Sequence, residues 1–298
     1  MTKIVEFIPN FSEGRNSSVL DALEKTAKSV PGVTLLNYSA DVNHNRSVFT
    51  LIGDPDGISE VAFQLCKTAS EKIDMTKHSG EHPRVGATDV MPFVPIRNVT
   101  IEECVEISKK VAERMWNELK VPSFLYEEST TRPERQNLAT VRKGQLEGMP
   151  KKLLEEDWAP DYGDRKIHPT AGISVIGARQ ILIAYNVNLN TSDVTIAQAI
   201  AKSIRGMNGG YKYCKALGVM LADRNIAQVT MNFVNYKETP IYRVQEAIRF
   251  EAKRWGVEII GSELIGLSPA RALIDCAEYY LQLENFDFDT QVLENHFL

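Results

Sequence analysis

The sequence has little of what marks several large classes of protein. Its 298 residues include only 4 Cys, which lie far apart and form no CxxC pair, so a disulfide scaffold is excluded. The 18 Gly and 13 Pro are too few for a fibrous or low-complexity chain. There is no excess of positive charge: the formal net charge is −5, which argues against a nucleic-acid partner and against a polybasic membrane binder. No apolar run is long enough for a membrane-spanning helix.

The composition that is present is typical of a globular enzyme or binding protein. Hydrophobic residues make up 43% and charged residues 24% of the chain. A chain of this length is predicted to bury a large core without metals and to form about two domains. The N-terminus lacks the apolar stretch and cleavage site of a signal peptide, and free thiols fit a reducing compartment, so we expect a cytoplasmic protein.

Hydrophobic periodicity predicts the same order of elements, β-α-β-β-α-β, in both halves of the chain. In the first half the pattern indicates strands over residues 4–9, 33–38, 46–53 and 89–94, with helices over 17–30 and 57–73. In the second half it indicates strands over residues 180–189, 217–222, 227–236 and 257–260, with helices over 193–205 and 241–255.

This order is the split βαβ arrangement, in which helices cover one face of a sheet. We therefore predict an α+β fold with two subdomains, residues 1–178 and 179–298, and a ligand crevice between them. The joint is expected in the less regular residues 130–178. The strand over 89–94 contains Pro92 and Pro95, so it is expected at the edge or end of a sheet.

The most informative stretch for chemistry is residues 74–95, where Gly and Pro indicate an ordered loop that leads into a strand. Within it stand His78, Glu81, His82, Arg84 and Asp89. A solvated polar loop is the plainest interpretation. A metal site through His78 and His82 is disfavoured because HSGEH is not HExxH and no third ligand is visible. General acid–base catalysis by a histidine is the interpretation that we favour.

Four other stretches carry candidate residues. Residues 41–46 form a polar turn that is either a simple hairpin or part of the site, depending on whether it reaches the His82 loop. Residues 9–14 precede a helix and are able to bind an anion, although they match no nucleotide-binding motif. Residues 163–172 are either a charged linker or an anion-binding loop. Residues 203–213 mix basic, aromatic and Gly residues, which fits a loop over a small-molecule site better than a nucleic-acid contact.

At these stretches the sequence resembles the glutamate formimidoyltransferase family. The resemblance is carried by PNFSEG at 9–14, KHSGEHPRVGATDVMPFVP at 77–95, WAPDYG at 158–163 and GARQILIAYNVNLN at 177–190. It implies two α/β subdomains with a folate tunnel between them, and transfer of a formimidoyl group from N-formimidoyl-L-glutamate to tetrahydrofolate in histidine breakdown. The family's catalytic histidine matches His82. Its folate-binding stretch matches the run of ten residues Gly163, Asp164, Arg165, Lys166, Ile167, His168, Pro169, Thr170, Ala171 and Gly172.

Chemistry suggests roles for the residues near His82. The glutamate nitrogen leaves the tetrahedral intermediate only when protonated, so we expect His82 to donate that proton. A carboxylate should face the amidinium, with Asp41 preferred to Asp89. Arg84 or Arg46 is expected to bind a substrate carboxylate through a bidentate pair.

Two alternatives and several partners remain at this stage. The same fold would suit formyl transfer between 5-formyltetrahydrofolate and glutamate, and a non-catalytic folate-binding protein is a rival of another class. Tetrahydrofolate is expected as co-substrate, with no metal. The resemblance also implies a homodimer and, since no cyclodeaminase segment follows, a separate cyclodeaminase that processes the product.

Overall fold

The computed structural model describes residues 2–296 and divides the chain into two units, with the division between Gln180 and Ile181. The first unit contains β1 (Ile4–Phe7), β2 (Asn10–Phe11), α1 (Ser17–Ala27), β3 (Val33–Asp41), β4 (Arg46–Gly53), α2 (Pro55–Lys72), β5 (Thr88–Arg97), α3 (Ile101–Arg114), β6 (Ser123–Leu125), α4 (Leu138–Val141), α5 (Gln145–Lys152) and β7 (Ser174–Ala178). The second contains β8 (Ile183–Leu189), α6 (Val194–Ile204), β9 (Cys214–Leu221), β10 (Ile226–Phe233), α7 (Ile241–Arg254), β11 (Ile259–Ile265), α8 (Ala270–Leu281) and α9 (Phe288–Gln291).

The predicted repeat of β-α-β-β-α-β is confirmed by the strand order. In the second unit the sheet runs β11-β8-β10-β9, with every pair antiparallel. In the first unit β5, β1, β4 and β3 stand in the same order and are also antiparallel. Each half is therefore the split βαβ arrangement that the hydrophobic pattern predicts.

Side-chain caps fix where the helices of the first unit begin. The Asn16 side chain accepts a hydrogen bond from the Ser18 amide at the start of α1. Asp54 caps α2, whose first residue is Pro55. Thr100 and Glu103 form a capping box at the start of α3, where both reciprocal hydrogen bonds are present.

The first unit contains two strands beyond the repeat, and helices pack on both faces of its sheet. β7 pairs in parallel with β5 and with β6. Helices α1, α2 and α3 pack on one face of the sheet, and residues of α4 and α5 pack on the other with Val90, Phe124 and Val175. The prediction of helices on one face alone thus holds for the repeat but not for this end of the sheet. The stretch 130–178, expected to hold the joint, instead packs inside the first unit.

The prediction that the strand around Asp89 lies at the edge or end of a sheet is wrong. β5 has neighbours on both sides, since it pairs with β1 and β2 on one side and with β7 on the other. The carbonyl of Pro92 accepts a hydrogen bond from the Ile8 amide, at the interruption between β1 and β2. Because the amide of a strand residue points to the same side as its carbonyl, the missing N–H of Pro92 faces that interruption and leaves no regular ladder bond unmade.

The second unit has its core between one face of its sheet and its helices. Its buried cluster combines Val187 and Val229 of the central strands with Ile200 of α6 and Val244 and Ile248 of α7. Within residues 2–296 no helix has both the length and the apolar character needed to cross a membrane.

Candidate active site

Three of the candidate stretches meet at the side chain of Asn45. Its Oδ1 accepts a hydrogen bond from the Gly14 amide at 3.0 Å, and its Nδ2 donates to the Ser79 carbonyl at 3.0 Å. Asn45 is buried and has a left-handed backbone with a φ of 48°, a conformation that Asn tolerates better than most residues. The turn over 41–46 therefore joins residues 9–14 to the His82 loop, which answers the question left open by the sequence.

Gly80 lets the His82 loop approach this turn. A Cβ at residue 80 would lie 2.3 Å from the His44 carbonyl oxygen, so any other residue would push the loop away. The Glu81 amide donates to the Asn43 carbonyl at 3.3 Å and closes the contact. His82 is thereby held beside the turn.

His82 contacts a guanidinium through its Nε2. The Arg46 Nη1 lies 2.5 Å from that nitrogen, and the His44 ring lies edge-on with its centroid 6.2 Å from the His82 ring. A guanidinium only donates, so Nε2 carries the lone pair and the ring hydrogen is on Nδ1.

The surroundings of His82 disfavour its charged form. Burial first, and then the positive charges of Arg46 and Arg142, lower its pKa from 6.5 to about 3, while a hydrogen bond with the Pro83 backbone opposes the shift. The resting imidazole is therefore neutral at pH 7, with its lone pair directed at Arg46.

Arg46 carries the cation that faces His82. Within the described residues no carboxylate forms an ion pair with Arg46, although Asp41 and Asp89 act on it at longer range. Burial and the charge of Arg142 lower its pKa. A half-buried guanidinium without a paired carboxylate has the chemistry to bind an anion.

Arg84 is engaged within the protein. It is 8% exposed, and its guanidinium contacts both carboxylate oxygens of Glu147 at 2.6 and 2.9 Å. It also donates to Gln145 Oε1 and to His78 Nδ1. These contacts fill the fork that the sequence assigned to a substrate carboxylate.

Asp89 is likewise engaged within the protein. Its Oδ1 accepts from the Val85 amide at 2.8 Å, and its Oδ2 forms an ion pair with Arg142. Two ion pairs therefore join the loop to residues 142–147. The loop supplies the cation, Arg84, in one pair and the anion, Asp89, in the other. Sequence analysis missed Arg142 and Glu147 because they stand in an irregular stretch with no motif.

Asp41 lies at the surface and reaches the site through His44. Its carboxylate accepts from the His44 amide at 2.8 Å and lies 3.0 Å from His44 Nδ1. These hydrogen bonds lower its pKa, so the group is ionised at neutral pH. Of the two carboxylates considered for the amidinium, Asp41 is the one without an arginine partner in the described part of the chain.

The stretch 163–172 contacts the His82 loop directly. His168 and Gly172 close a turn through their backbones, and the His168 Nδ1 accepts from the Ala171 amide at 3.0 Å. Beyond the turn, the Thr170 carbonyl accepts from Met75 and the Ala171 carbonyl accepts from Ala87, each at 2.8 Å. The linker interpretation of this stretch is therefore wrong.

The residues around His82 fill the space between their side chains. The cluster is lined by Ser12, His44, Asn45, Arg46, His78, His82, Arg84 and Asp89. His78 is part of this packing, since its Nε2 contacts the Asn45 carbonyl at 3.0 Å. Among residues 2–296, no group of three or more His, Cys, Asp or Glu is arranged to hold a metal ion. Residues 203–213 belong to the second unit.

Fold and site together define a two-unit α+β protein whose first unit places a neutral histidine beside a guanidinium that has no ion-paired carboxylate in the described residues. Two family models match the chain: "Formiminotransferase domain, N-terminal subdomain" over residues 4–179 and "Formiminotransferase domain" over residues 184–295. The chain belongs to the glutamate formimidoyltransferase family.

Curated relatives agree with the two matches. A glutamate formimidoyltransferase of Streptococcus pyogenes serotype M1 is 70% identical over the whole of both chains. One of Thermoplasma acidophilum is 46% identical over 95% of this chain and 94% of its own. A formimidoyltransferase-cyclodeaminase of Dictyostelium discoideum is 46% identical over 96% of this chain, which spans 54% of that relative.

Proposed function

We propose that this protein is an enzyme that transfers the formimidoyl group from N-formimidoyl-L-glutamate to tetrahydrofolate, giving 5-formimidoyltetrahydrofolate and L-glutamate. The observation that carries the proposal is the neutral His82 beside the Arg46 guanidinium, in a chain 70% identical to a glutamate formimidoyltransferase along its full length. The reaction serves histidine degradation and one-carbon metabolism, and tetrahydrofolate is the co-substrate.

Arg46 is the residue that we assign to a substrate carboxylate, in place of Arg84, which Glu147 occupies. A carboxylate that binds Arg46 draws the guanidinium away from His82 Nε2 and neutralises part of the positive field on the ring. Both changes raise the pKa of His82 and free its lone pair. Substrate binding thus prepares the base.

The proton then moves through His82 in two steps. N5 of tetrahydrofolate attacks the amidine carbon, and His82 Nε2 takes the proton that N5 loses as the N–C bond forms. The same imidazolium returns this proton to the glutamate nitrogen, whose bond to the carbon breaks. His82 therefore acts first as base and then as the acid that the sequence analysis expected. Asp41 is assigned to the amidinium because its ionised carboxylate is at the surface beside His44.

Residues 163–172 are assigned to folate. Their support is a cavity of about 420 Å³ lined by Asp164, Lys166, Ile167, His168 and Pro169, on a turn that contacts the His82 loop. The cytoplasmic location, the homodimer and the separate cyclodeaminase stay predictions. The last is supported by relatives that join the two names in one longer chain.

The test is a spectroscopic assay with tetrahydrofolate and N-formimidoyl-L-glutamate, run beside 5-formyltetrahydrofolate with glutamate. We expect kcat/KM to be larger for the formimidoyl donor. A larger value for the formyl donor would favour the alternative transfer, and tight folate binding without turnover on either donor would favour a binding protein.

A further inference from the structure

The cavity beside residues 163–172 is also lined by two residues that lie outside the candidate stretches of the sequence analysis. They are Trp116 and Lys120, which face Lys166, His168 and Asp164 across a space of about 420 Å³. This volume lies within the range of about 300–1,000 Å³ that is usual for small-molecule sites.

A change of helical geometry presents both residues to the cavity. Helix α3 continues into a π-helical turn over Met115–Leu119, and Lys120 ends it with a left-handed φ of 57°. The Lys120 amide donates to the Trp116 carbonyl at 3.2 Å. Single π-helical turns are frequent at functional sites because the inserted residue redirects the side chains that follow.

The Trp116 ring packs with one edge against Gly163. Gly163 has a φ of +120°, and a Cβ there would lie 2.6 Å from the Pro122 Cβ and 3.1 Å from Trp116 Cε3. Glycine thus lets residues 162–164 pack against the indole edge. The ring is half-buried, and the Lys120 Nζ lies 5.2 Å from its centroid. The cavity therefore has an aromatic wall with an ammonium over the ring.

The lining chemistry suits an aromatic ring that is followed by carboxylates. Two ammonium groups, Lys120 and Lys166, outnumber the single carboxylate of Asp164. Of the two halves of folate, the pterin carries no carboxylate, whereas p-aminobenzoylglutamate joins a benzene ring to two of them. Indole packs against such a ring, and lysines attract the carboxylates.

We propose that Trp116 and Lys120 bind the p-aminobenzoylglutamate half of tetrahydrofolate, with Trp116 against the ring and Lys120 with Lys166 against the glutamate carboxylates. This assignment rests on the proposed function. It leaves the pterin on the side of the His168–Gly172 turn that contacts Ala87 and Met75 of the His82 loop.

Isothermal titration with each half of the co-substrate tests the assignment. The probes are p-aminobenzoyl-L-glutamate and 6-methyltetrahydropterin, and the variants are Trp116→Leu, Trp116→Phe, Lys120→Gln and the control Lys110→Gln, an exposed lysine of α3. We expect Trp116→Leu to weaken p-aminobenzoylglutamate about tenfold. Lys120→Gln should weaken it about threefold, less so at high salt. Trp116→Phe should restore most of the affinity, Lys110→Gln should change nothing, and the pterin affinity should stay constant.

Several outcomes would overturn the assignment. They are p-aminobenzoylglutamate affinity that is equal in Trp116→Leu and wild type, equal weakening of both probes, or no p-aminobenzoylglutamate binding by the wild-type protein. If Trp116→Leu fails to fold, Trp116→Phe and Lys120→Gln still decide between these results. Wild-type turnover of tetrahydrofolate and N-formimidoyl-L-glutamate is measured in parallel, because its absence would reject the proposed function whereas its presence with insensitive probe binding would reject this inference alone.

Discussion

The Arg46 Nη1 and the His82 Nε2 lie 2.5 Å apart, which places a cation on the lone pair of the imidazole. The contact keeps the imidazole neutral, because protonation at Nε2 would bring two positive groups together. It also occupies the Nε2 lone pair with a hydrogen bond from Arg46. Only a ligand that moves or neutralises Arg46 makes the nitrogen available. In the proposed mechanism, this pair of side chains connects substrate binding at Arg46 to the pKa of His82.

Replacing His82 with Gln should lower kcat by about 10²–10⁴, because general acid–base catalysis typically contributes a factor of that size. The KM for tetrahydrofolate should change little, since residues 163–172 are untouched. Steady-state kinetics with circular dichroism of the variant measure this. Near-normal turnover by a folded His82→Gln protein would remove His82 from the mechanism.

Arg46→Gln should raise the KM for N-formimidoyl-L-glutamate about ten- to a hundredfold, the usual value of a hydrogen bond to a charged group. It should also raise the pKa of His82 from about 3 towards 6.5, because one of the positive charges that depress it is removed. NMR titration of the imidazole follows the pKa. An unchanged KM together with an unchanged pKa would separate Arg46 from both roles.

The depressed pKa of His82 predicts how stability depends on pH. The unfolded chain binds a proton at His82 near pH 6.5, whereas the folded protein does so only near pH 3. The free energy of unfolding is therefore highest, as far as His82 is concerned, above pH 6.5, and it decreases as pH falls towards 3. Urea unfolding between those values should show a smaller loss of stability for His82→Gln than for wild type. Parallel curves for the two proteins would contradict the shift.

Arg84→Gln should act on folding rather than on substrate binding. Its guanidinium is buried against Glu147, so its loss should lower the free energy of unfolding by about 1–3 kcal/mol. The KM for N-formimidoyl-L-glutamate should stay near the wild-type value, in contrast to Arg46→Gln. Denaturation and kinetics on Arg84→Gln, Glu147→Gln and the double variant check this by a thermodynamic cycle. A raised KM with unaltered stability would restore Arg84 as a substrate ligand.

Replacing Arg165 and Lys166 together with Ala should raise the KM for tetrahydrofolate a few-fold and leave kcat nearly intact. Exposed ion pairs contribute about 0.2–1 kcal/mol each, and these contacts are the same in the ground and transition states. Lys166 lines the cavity, whereas Arg165 donates to the Leu154 carbonyl, so Lys166→Ala alone should give most of the effect. Kinetics at low and high salt measure this. A loss of kcat with KM and salt response unchanged would place the stretch at the reacting centre.

Hydrophobic periodicity was sufficient to predict the repeated half-domains. The spacing of apolar residues along a helix or strand is a local property, so it can be read before the tertiary structure is known. The position of β5 was not predictable in this way. The expectation that proline lies at a sheet edge assumes that the neighbouring strand is uninterrupted. The interruption between β1 and β2 becomes visible only when the strand pairing is known.

In the candidate site, too, the sequence reveals some features and the fold is needed for others. His82, Arg84 and Asp89 stand in one conspicuous string, so the sequence finds them. Their roles depend on Arg142 and Glu147, which approach from more than 50 residues away and lack any motif. No spacing rule separates a guanidinium that is already paired, such as Arg84, from one that is available, such as Arg46.

Pro92 in the middle of the sheet also limits how the chain can misfold. Its ring fits only where the opposing strand is interrupted, at Ile8 and Pro9. A slip of β5 that placed Pro92 opposite β1 itself would lose a ladder hydrogen bond. The missing N–H therefore disfavours such a shifted pairing of β5 with β1. Because Asp89 and the His82 loop precede Pro92 in the chain, the register of β5 also fixes where that loop meets the sheet.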